Sequence, residues 1–262
     1  MPSPSLTRRD VDGRLEGLVL MLHGGKADDL TPVDDGSASW RRSRWMMDHV
    51  HGRMNRAGVG VWLLRYSVRG WNARVASPPS PVPDARWALD EVRRQLGDVP
   101  VVLLGHSMGG RTAVAVADDR SVVGVVGLAP WLPADEPNAG LAGKAFAAAH
   151  GRSDKITSLR QTRAFCRNAE GVASTVEVHD MGRVGHYMFR DIPGWNRFAA
   201  TLERQSFLGE TGRIELRGPG DWPVIALALT SQSGGLRVGQ GLTVSVPPDL
   251  VIVLPSKAAP AG

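Results

Sequence analysis

A serine enclosed by glycines is the first residue whose setting suggests chemistry. Ser107 lies in the segment 105–109, GHSMG, and Gly110 follows directly. An apolar stretch at 99–104 precedes this segment and an alanine-rich stretch at 111–117 follows it, so we expect the serine on a strand-to-helix turn. Such a turn holds the serine in sparsely populated backbone angles, and it needs small neighbours on both sides. The turn would project the hydroxyl outward at a helix start, where partial positive charge gathers.

A serine hydroxyl is a weak nucleophile at neutral pH, and it needs an imidazole to accept its proton. The imidazole in turn needs a group that fixes its tautomer and stabilises its charged form. His186 is the candidate base, in the predicted loop after the last strand, with His179 as the alternative. Asp154 is the candidate acid; it could also be only a helix-capping residue, and Asp135 is then the alternative acid.

Strands and helices alternate along the chain and must position these residues. Short apolar runs predict buried strands at about 17–22, 59–66, 99–104, 121–128, 144–149 and 174–178. Helical spacing and capping residues predict helices at about 37–57, 84–96, 111–117, 158–169 and 192–207. This alternation is typical of the α/β class, with a mainly parallel central sheet and helices on both faces. Ligand sites of such sheets lie at the carboxyl ends of the strands, where this assignment places the candidate residues.

The last fifty or so residues break the alternation. Gly, Pro and Ser interrupt short β-like runs at 224–229, 242–246 and 250–254. We therefore expect an α/β domain over 1–210 and a C-terminal Gly/Pro-rich extension over 211–262. The extension either adds a small β element or is loosely ordered.

The composition narrows the class of protein. The chain has 262 residues, of which 42% are hydrophobic and 22% charged, as in a globular protein with one large domain. The net charge of +5 is spread over arginines in several predicted helices, which favours a solvated basic face over a nucleic-acid site.

Other compositional features argue against metals, cofactors and membranes. The single cysteine, Cys166, excludes an intramolecular disulfide, and no cluster has metal-ligand spacing. We therefore expect no metal and no cofactor. The polar stretch 1–14 lacks the apolar core of a secretory signal, and the apolar runs are shorter than the roughly 20 residues of a spanning helix. We expect a cytoplasmic protein without a membrane partner.

The chain order Ser, Asp, His belongs to one fold in particular. Over about residues 17–207 the chain resembles an α/β-hydrolase, of the esterase/lipase or dienelactone-hydrolase-like branch. The segment 23–25, HGG, is similar to the oxyanion turn of that family, and 105–110 to its nucleophile elbow. The segment 150–154, HGRSD, resembles its acid-bearing loop, and 185–186, GH, its catalytic histidine.

The resemblance implies a serine hydrolase that cleaves a carboxylic ester or related acyl bond of a small-molecule substrate. Ser107 would attack the acyl carbonyl and form an acyl-enzyme, His186 would move the proton, and Asp154 would orient His186. The N–H groups of Met108 and Gly25 would hold the oxyanion, with Lys26 as the alternative to Gly25. A lyase or acyl transferase that uses the same residues, or a non-catalytic binding protein, is the alternative function.

Two features depart from the fuller family pattern. The chain ahead of residue 17 is short, so we expect one or two leading strands to be missing. The stretch 131–141 is also short, which predicts a minimal lid and an open cleft suited to small or water-soluble acyl substrates. Trp71, Trp131 and Leu132 are candidates for lining that cleft, with ordinary core packing as the alternative.

The remaining histidines receive structural roles. His23 and His106 flank the predicted site, and we expect them to support its turns by packing or hydrogen bonding. The other three, His49, His51 and His150, are predicted to be surface or structural residues.

Overall fold

The computed structural model of the protein describes residues 2–187 and the backbone of 211–217 and 223–229. The predicted helix at 192–207 and the predicted β-like runs at 242–246 and 250–254 lie outside the described residues.

Seven strands form the main sheet of the described chain. They are β1 (Ser5–Arg9), β2 (Gly17–Leu22), β3 (Val59–Arg65), β4 (Val101–His106), β5 (Val122–Leu128), β6 (Ala145–His150) and β7 (Thr175–Asp180). Their order across the sheet is β1-β3-β2-β4-β5-β6-β7. The strands β2 to β7 pair in parallel, and β1 pairs antiparallel with β3. The predicted mainly parallel α/β sheet is confirmed.

Helices cover this sheet. They are α1 (Ala38–Arg56), α2 (Pro81–Leu96), α3 (Met108–Ala115) and α4 (Leu159–Ala169). Every residue of β2 and of β4 is buried, which requires a layer on each face because side chains of a strand alternate between faces. No described helix is long and apolar enough to cross a membrane.

Helix starts differ from the prediction where glycine or proline is present. Helix α2 begins at Pro81 rather than Asp84, because a proline in the first helical turn loses no intrahelical hydrogen bond. Helix α3 begins at Met108 rather than at Arg111 and includes Gly109 and Gly110. Ser37 is the N-cap residue of α1, but its hydroxyl donates to Asp34 Oδ1 at 2.8 Å instead of capping the helix.

Strand β1 was not predicted, although one or two leading strands were expected to be missing. Its sequence, SLTRR, lacks an apolar run. An edge strand has only one paired neighbour, so polar residues are tolerated there, and of this strand Leu6 packs against the core. One leading strand is therefore present.

The chain divides into two units, Met1–Thr211 and Gly212–Gly262. Near the start of the second unit, β8 (Thr211–Arg217) and β9 (Pro223–Leu229) form a two-stranded sheet. Strand β9 covers the β-like run predicted at 224–229. The role of the extension stays a prediction.

Candidate active site

Ser107 lies between the last residue of β4 and the first residue of α3. Its backbone angles, φ 53° and ψ −118°, are in a region that non-glycine residues rarely adopt. Hydrogen bonds on both sides hold this conformation: Ser107 N–H donates to the Leu128 carbonyl, and the Ser107 carbonyl accepts from Gly110 N–H and Trp131 N–H, each at 3.0 Å. The predicted strained strand-to-helix turn is therefore present.

Close backbone packing explains the glycines around the serine. A Cβ on Gly105 would collide with the backbone of Gly109, and a Cβ on Gly109 would collide with the Leu22 carbonyl at the end of β2. A Cβ on Gly110 would press on Pro130 at 2.6 Å. Helix α3 can approach the sheet this closely because Gly105 of β4 and Gly109 and Gly110 in its first turn lack side chains.

The structure brings Ser107, Asp154 and His186 together. His186 Nε2 lies 3.0 Å from Ser107 Oγ, and His186 Nδ1 lies 2.8 Å from Asp154 Oδ2. The Ser107 and His186 residues are buried, and the Asp154 side chain is 1% exposed. The two alternatives, His179 on β7 and Asp135 in the loop after β5, are exposed residues.

The two carboxylate oxygens of Asp154 have separate partners. Oδ1 accepts from the N–H groups of Ile156 at 2.8 Å and Thr157 at 2.9 Å, which is the turn-capping role considered as the alternative. Oδ2 faces His186 and His150. Burial alone would raise the pKa of Asp154, but hydrogen bonds from the two histidines and the two backbone N–H groups outweigh it and hold that pKa well below its usual range. The capping and orienting roles are therefore compatible in one residue.

Sequence reasoning missed Thr157. Its Oγ1 lies 2.8 Å from Asp154 Oδ2, 3.1 Å from His186 Nδ1 and 3.1 Å from the Ala129 carbonyl. The one local signal is its position three residues after an aspartate, which is common in capping turns.

His150 was predicted to be a surface or structural residue, and the surface alternative is wrong. The residue is 0% exposed, because it ends the inner strand β6 under α4. His49, in contrast, is exposed and His51 is half-buried.

Two further buried histidines lie beside the elbow. His106 Nε2–H donates to the His186 carbonyl at 3.2 Å, and burial, with a smaller effect of the Arg42 charge, lowers the pKa of His106 to about 3. His23 Nδ1–H donates to the Gly24 carbonyl at 2.7 Å, and its Nε2 accepts from Tyr66 N–H at 3.3 Å. Burial lowers the pKa of His23 to about 4. Both rings are therefore neutral near pH 7 and bond to backbone groups.

The glycine turn after β2 packs against the start of α3. A Cβ on Gly25 would collide with the Met108 side chain and the Arg69 carbonyl. Met108 is the first residue of α3, so its N–H has no acceptor within the helix. Lys26 N–H donates to the Arg69 carbonyl at 2.9 Å.

Among the three residues predicted to line a cleft, the structure brings Trp71 and Trp131 together. Their rings are 6.3 Å apart, and the Arg111 guanidinium lies over both, 4.5 Å and 4.7 Å from the ring centroids. Arg111 also pairs with Glu136 at 2.6 Å. Trp71 and Leu132, 5% and 2% exposed, belong to the hydrophobic core, which was the alternative to a cleft wall, and Trp131 packs against that core.

Comparison with known proteins assigns the chain to a family. A family model described as the alpha/beta hydrolase family matches residues 19–249. The chain belongs to the alpha/beta hydrolase family. No curated protein matches the sequence.

Solved structures of the family share the fold at low sequence identity. Est1E from Butyrivibrio proteoclasticus, solved with ferulic acid bound, is 13% identical with a TM-score of 0.59, over 79% of this chain and 96% of that one. A serine hydrolase without a lid from Xanthomonas campestris is 15% identical with a TM-score of 0.56, over 77% and 88%. The butyrate-bound esterase Est2 from Thermogutta terrifontis is 17% identical with a TM-score of 0.57, over 77% and 87%.

Proposed function

We propose that this alpha/beta hydrolase is a serine esterase that cleaves a carboxylic ester through Ser107, His186 and Asp154. The observation that carries the proposal is the unbroken pair of hydrogen-bond distances, 3.0 Å from Ser107 Oγ to His186 Nε2 and 2.8 Å from His186 Nδ1 to Asp154 Oδ2. A nucleophile, a base and an orienting acid within hydrogen-bond reach are the arrangement that acyl transfer to serine needs.

Acylation begins with attack of Ser107 Oγ on the ester carbonyl carbon. His186 Nε2 accepts the hydroxyl proton as the new C–O bond forms, and it then donates this proton to the oxygen of the leaving alcohol as the ester bond breaks. Asp154 keeps the other proton on His186 Nδ1 and stabilises the imidazolium. Water then takes the place of the alcohol, and the same steps release the acid and restore the serine.

The oxyanion of each tetrahedral intermediate is held by Met108 N–H and Gly25 N–H. Met108 N–H lies at the start of α3, where the helix dipole adds positive charge. Lys26 N–H is already used by the Arg69 carbonyl, which favours Gly25 as the second donor. Loss of one such donor typically costs about 3–4 kcal/mol of transition-state stabilisation.

The substrate is a small acyl ester in an open cleft. Support comes from the short stretch at 131–141 and from the fold shared with a hydrolase described as lacking a lid. The family neighbours solved with butyrate and with ferulic acid carry short or aromatic acyl groups. Trp131, which is half-buried, then lines the cleft, and Trp71 and Leu132 support it from the core.

Hydrolysis of p-nitrophenyl butyrate tests the proposal. We expect Ser107→Ala to lower kcat/KM by about 10⁴-fold or more, because alanine has no hydroxyl group to attack the ester carbonyl. Ser174→Ala, which changes an exposed serine before β7, is the matched control and keeps wild-type activity. Equal activity of wild-type protein and Ser107→Ala would refute the assignment of the nucleophile.

A further inference from the structure

Asp154 has a second histidine neighbour that the reaction above does not use. His150 Nε2 lies 3.3 Å from Asp154 Oδ2, and His150 Nδ1 lies 3.0 Å from Thr162 Oγ1. His150 ends the strand β6, and Thr162 belongs to α4, so both come from regular elements. Each of these two residues is 0% exposed.

The chemistry of the partners sets the direction of these hydrogen bonds. An ionised carboxylate can only accept, so a hydrogen bond from His150 to Asp154 needs the proton on His150 Nε2. A neutral imidazole with its proton on Nε2 has a bare Nδ1, which accepts from the Thr162 hydroxyl. His150 is then a donor to the acid, held in one tautomer by the helix behind it.

The Thr157 hydroxyl fills the space between the two imidazoles. Its Oγ1 is 3.1 Å from His186 Nδ1 and 3.3 Å from His150 Nε2, and it is 2.8 Å from Asp154 Oδ2. Oδ2 of Asp154 therefore has three polar neighbours, His186, His150 and Thr157, which together hold the carboxylate in one orientation. A carboxylate that keeps one orientation presents the same oxygen to His186 throughout the reaction.

We propose that His150 is a positioning residue, which fixes Asp154 through the hydrogen-bond chain from Thr162 and so sets the orientation of His186. The inference rests on the proposed function, in which Asp154 orients the base. His150 touches neither Ser107 nor, in this account, the substrate, so its loss is expected to change kcat and to leave KM nearly unchanged.

Two variants that replace the His150 imidazole by an amide test whether a donor at the position of Nε2 is required, or whether any polar side chain of similar size is enough. In His150→Gln the side-chain amide takes the place of Nε2 and still reaches Asp154, whereas in His150→Asn it takes the place of Nδ1 and reaches only Thr162. We expect His150→Asn to lower kcat about tenfold to hundredfold, with KM within about twofold of wild type. His150→Gln should keep kcat within about fivefold of wild type.

Phe165→Leu is the control for a merely structural effect. Phe165 lies on α4 and packs edge-on against Phe146 of β6, 5.4 Å between ring centroids, and its side chain has no polar atom that could join the hydrogen-bond chain. We expect this variant to lower Tm without lowering kcat. If His150→Asn does not fold, Thr162→Val takes its place; it leaves His150 present without its donor and should lower kcat severalfold.

A spectroscopic measurement keeps this inference separate from the esterase proposal. The proton on His186 Nδ1, hydrogen-bonded to a buried carboxylate, gives a low-field NMR resonance that does not depend on any substrate. We expect it to shift or broaden in His150→Asn but not in His150→Gln or Phe165→Leu. An unchanged resonance with unchanged kcat in His150→Asn would overturn the inference. A resonance that responds to His150 in a protein that hydrolyses no ester would support the inference and refute the proposed function.

Discussion

The proposed nucleophile, Ser107, and its proposed partners, Asp154 and His186, are held in place by different contacts. Ser107 lies on a turn held by the backbone: Gly109 leaves no room for a Cβ beside the Leu22 carbonyl, and backbone hydrogen bonds join Ser107 to the chain on both sides. Asp154 and His186 lie in loops, and the acid is held by hydrogen bonds to its side chain, from the Ile156 and Thr157 N–H groups, the Thr157 hydroxyl and His150. Steric packing fixes the turn and allows almost no variation, whereas a hydrogen-bonded loop can lose one partner and keep the rest.

The difference predicts how each region responds to a single change. A side chain added to the elbow must displace backbone, which costs folding free energy. Removing a polar atom that bonds to Asp154 should leave the fold intact but disturb the orientation of Asp154 and His186, which lowers kcat.

Gly109→Ala is expected to have the largest effect. The added methyl group overlaps the Leu22 carbonyl, so β2 and α3 must separate, and the free energy of unfolding should fall by more than about 4 kcal/mol. Chemical denaturation, or loss of soluble protein, is the measurement. Gly171→Ala is the matched control, since a Cβ there meets no atom within 4 Å, and it should change stability by less than about 0.5 kcal/mol.

Asp154→Asn tests the hydrogen-bonded region. We expect kcat for the ester to fall about 10³-fold to 10⁴-fold, because an amide nitrogen facing His186 disfavours the proton on Nδ1 and hence the tautomer that serves as base. Tm should change by only a few degrees, since Ile156 N–H and Thr157 N–H can still donate to the amide oxygen. Collapse of the fold in this variant would contradict the proposed contrast between the two regions.

The neutral histidines beside the elbow predict a pH dependence of stability. Their pKa values are lowered, to about 3 for His106 and about 4 for His23, from about 6.5 in the unfolded chain. The unfolded state therefore binds more protons between about pH 4 and 6.5, so stability is complete above pH 6.5 and falls as the pH is lowered through this window. The slope is at most about 1.4 kcal/mol per pH unit for each histidine.

Denaturation midpoints at several pH values measure this slope. His106→Gln keeps a donor for the His186 carbonyl but cannot titrate, so its slope should be smaller than that of wild type. Asp154 does not interfere in this window, because a carboxyl with a depressed pKa loses its contribution only below about pH 4. Identical slopes for the two proteins would show that His106 is not a neutral buried group.

The smallest effect is expected from backbone strain at Ser107, which two variants of this residue distinguish from the loss of its side chain. Ser107→Ala and Ser107→Gly both remove the hydroxyl, but only glycine accepts φ 53° and ψ −118° without a steric cost. We expect Ser107→Gly to be more stable than Ser107→Ala by about 1 kcal/mol. Equal midpoints in urea would mean that the turn carries no such strain.

The turn at Ser107 could be predicted from the sequence because its steric constraints require glycine at particular neighbouring positions. Glycine at 105 and 109, between an apolar run and an alanine-rich segment, is the direct consequence of close packing. The inner strands were also visible, since most of their residues are apolar, as in GLVLML of β2 and VVGVVGL of β5. Edge strand β1 was missed because a strand with one paired neighbour tolerates a polar sequence such as SLTRR.

The acid loop was only partly predictable. The order of the candidates along the chain gave Asp154 and His186, and the structure brings them within 2.8 Å of each other. The contributions of Thr157 and His150 depend on how β6, α4 and the loop after β7 fold together, which no residue spacing records. Hydrogen-bonded support of this kind becomes visible only in three dimensions.

Active-site labelling with a fluorophosphonate tests the central claim most directly. The reagent forms a covalent bond to a serine only where a base activates its hydroxyl, so peptide mass spectrometry identifies the nucleophile without knowledge of the substrate. We predict one label per chain, on Ser107, with labelling slowed at least about a thousandfold in Asp154→Asn. A folded wild-type protein that takes up no label, or takes it up on another serine, would contradict the account.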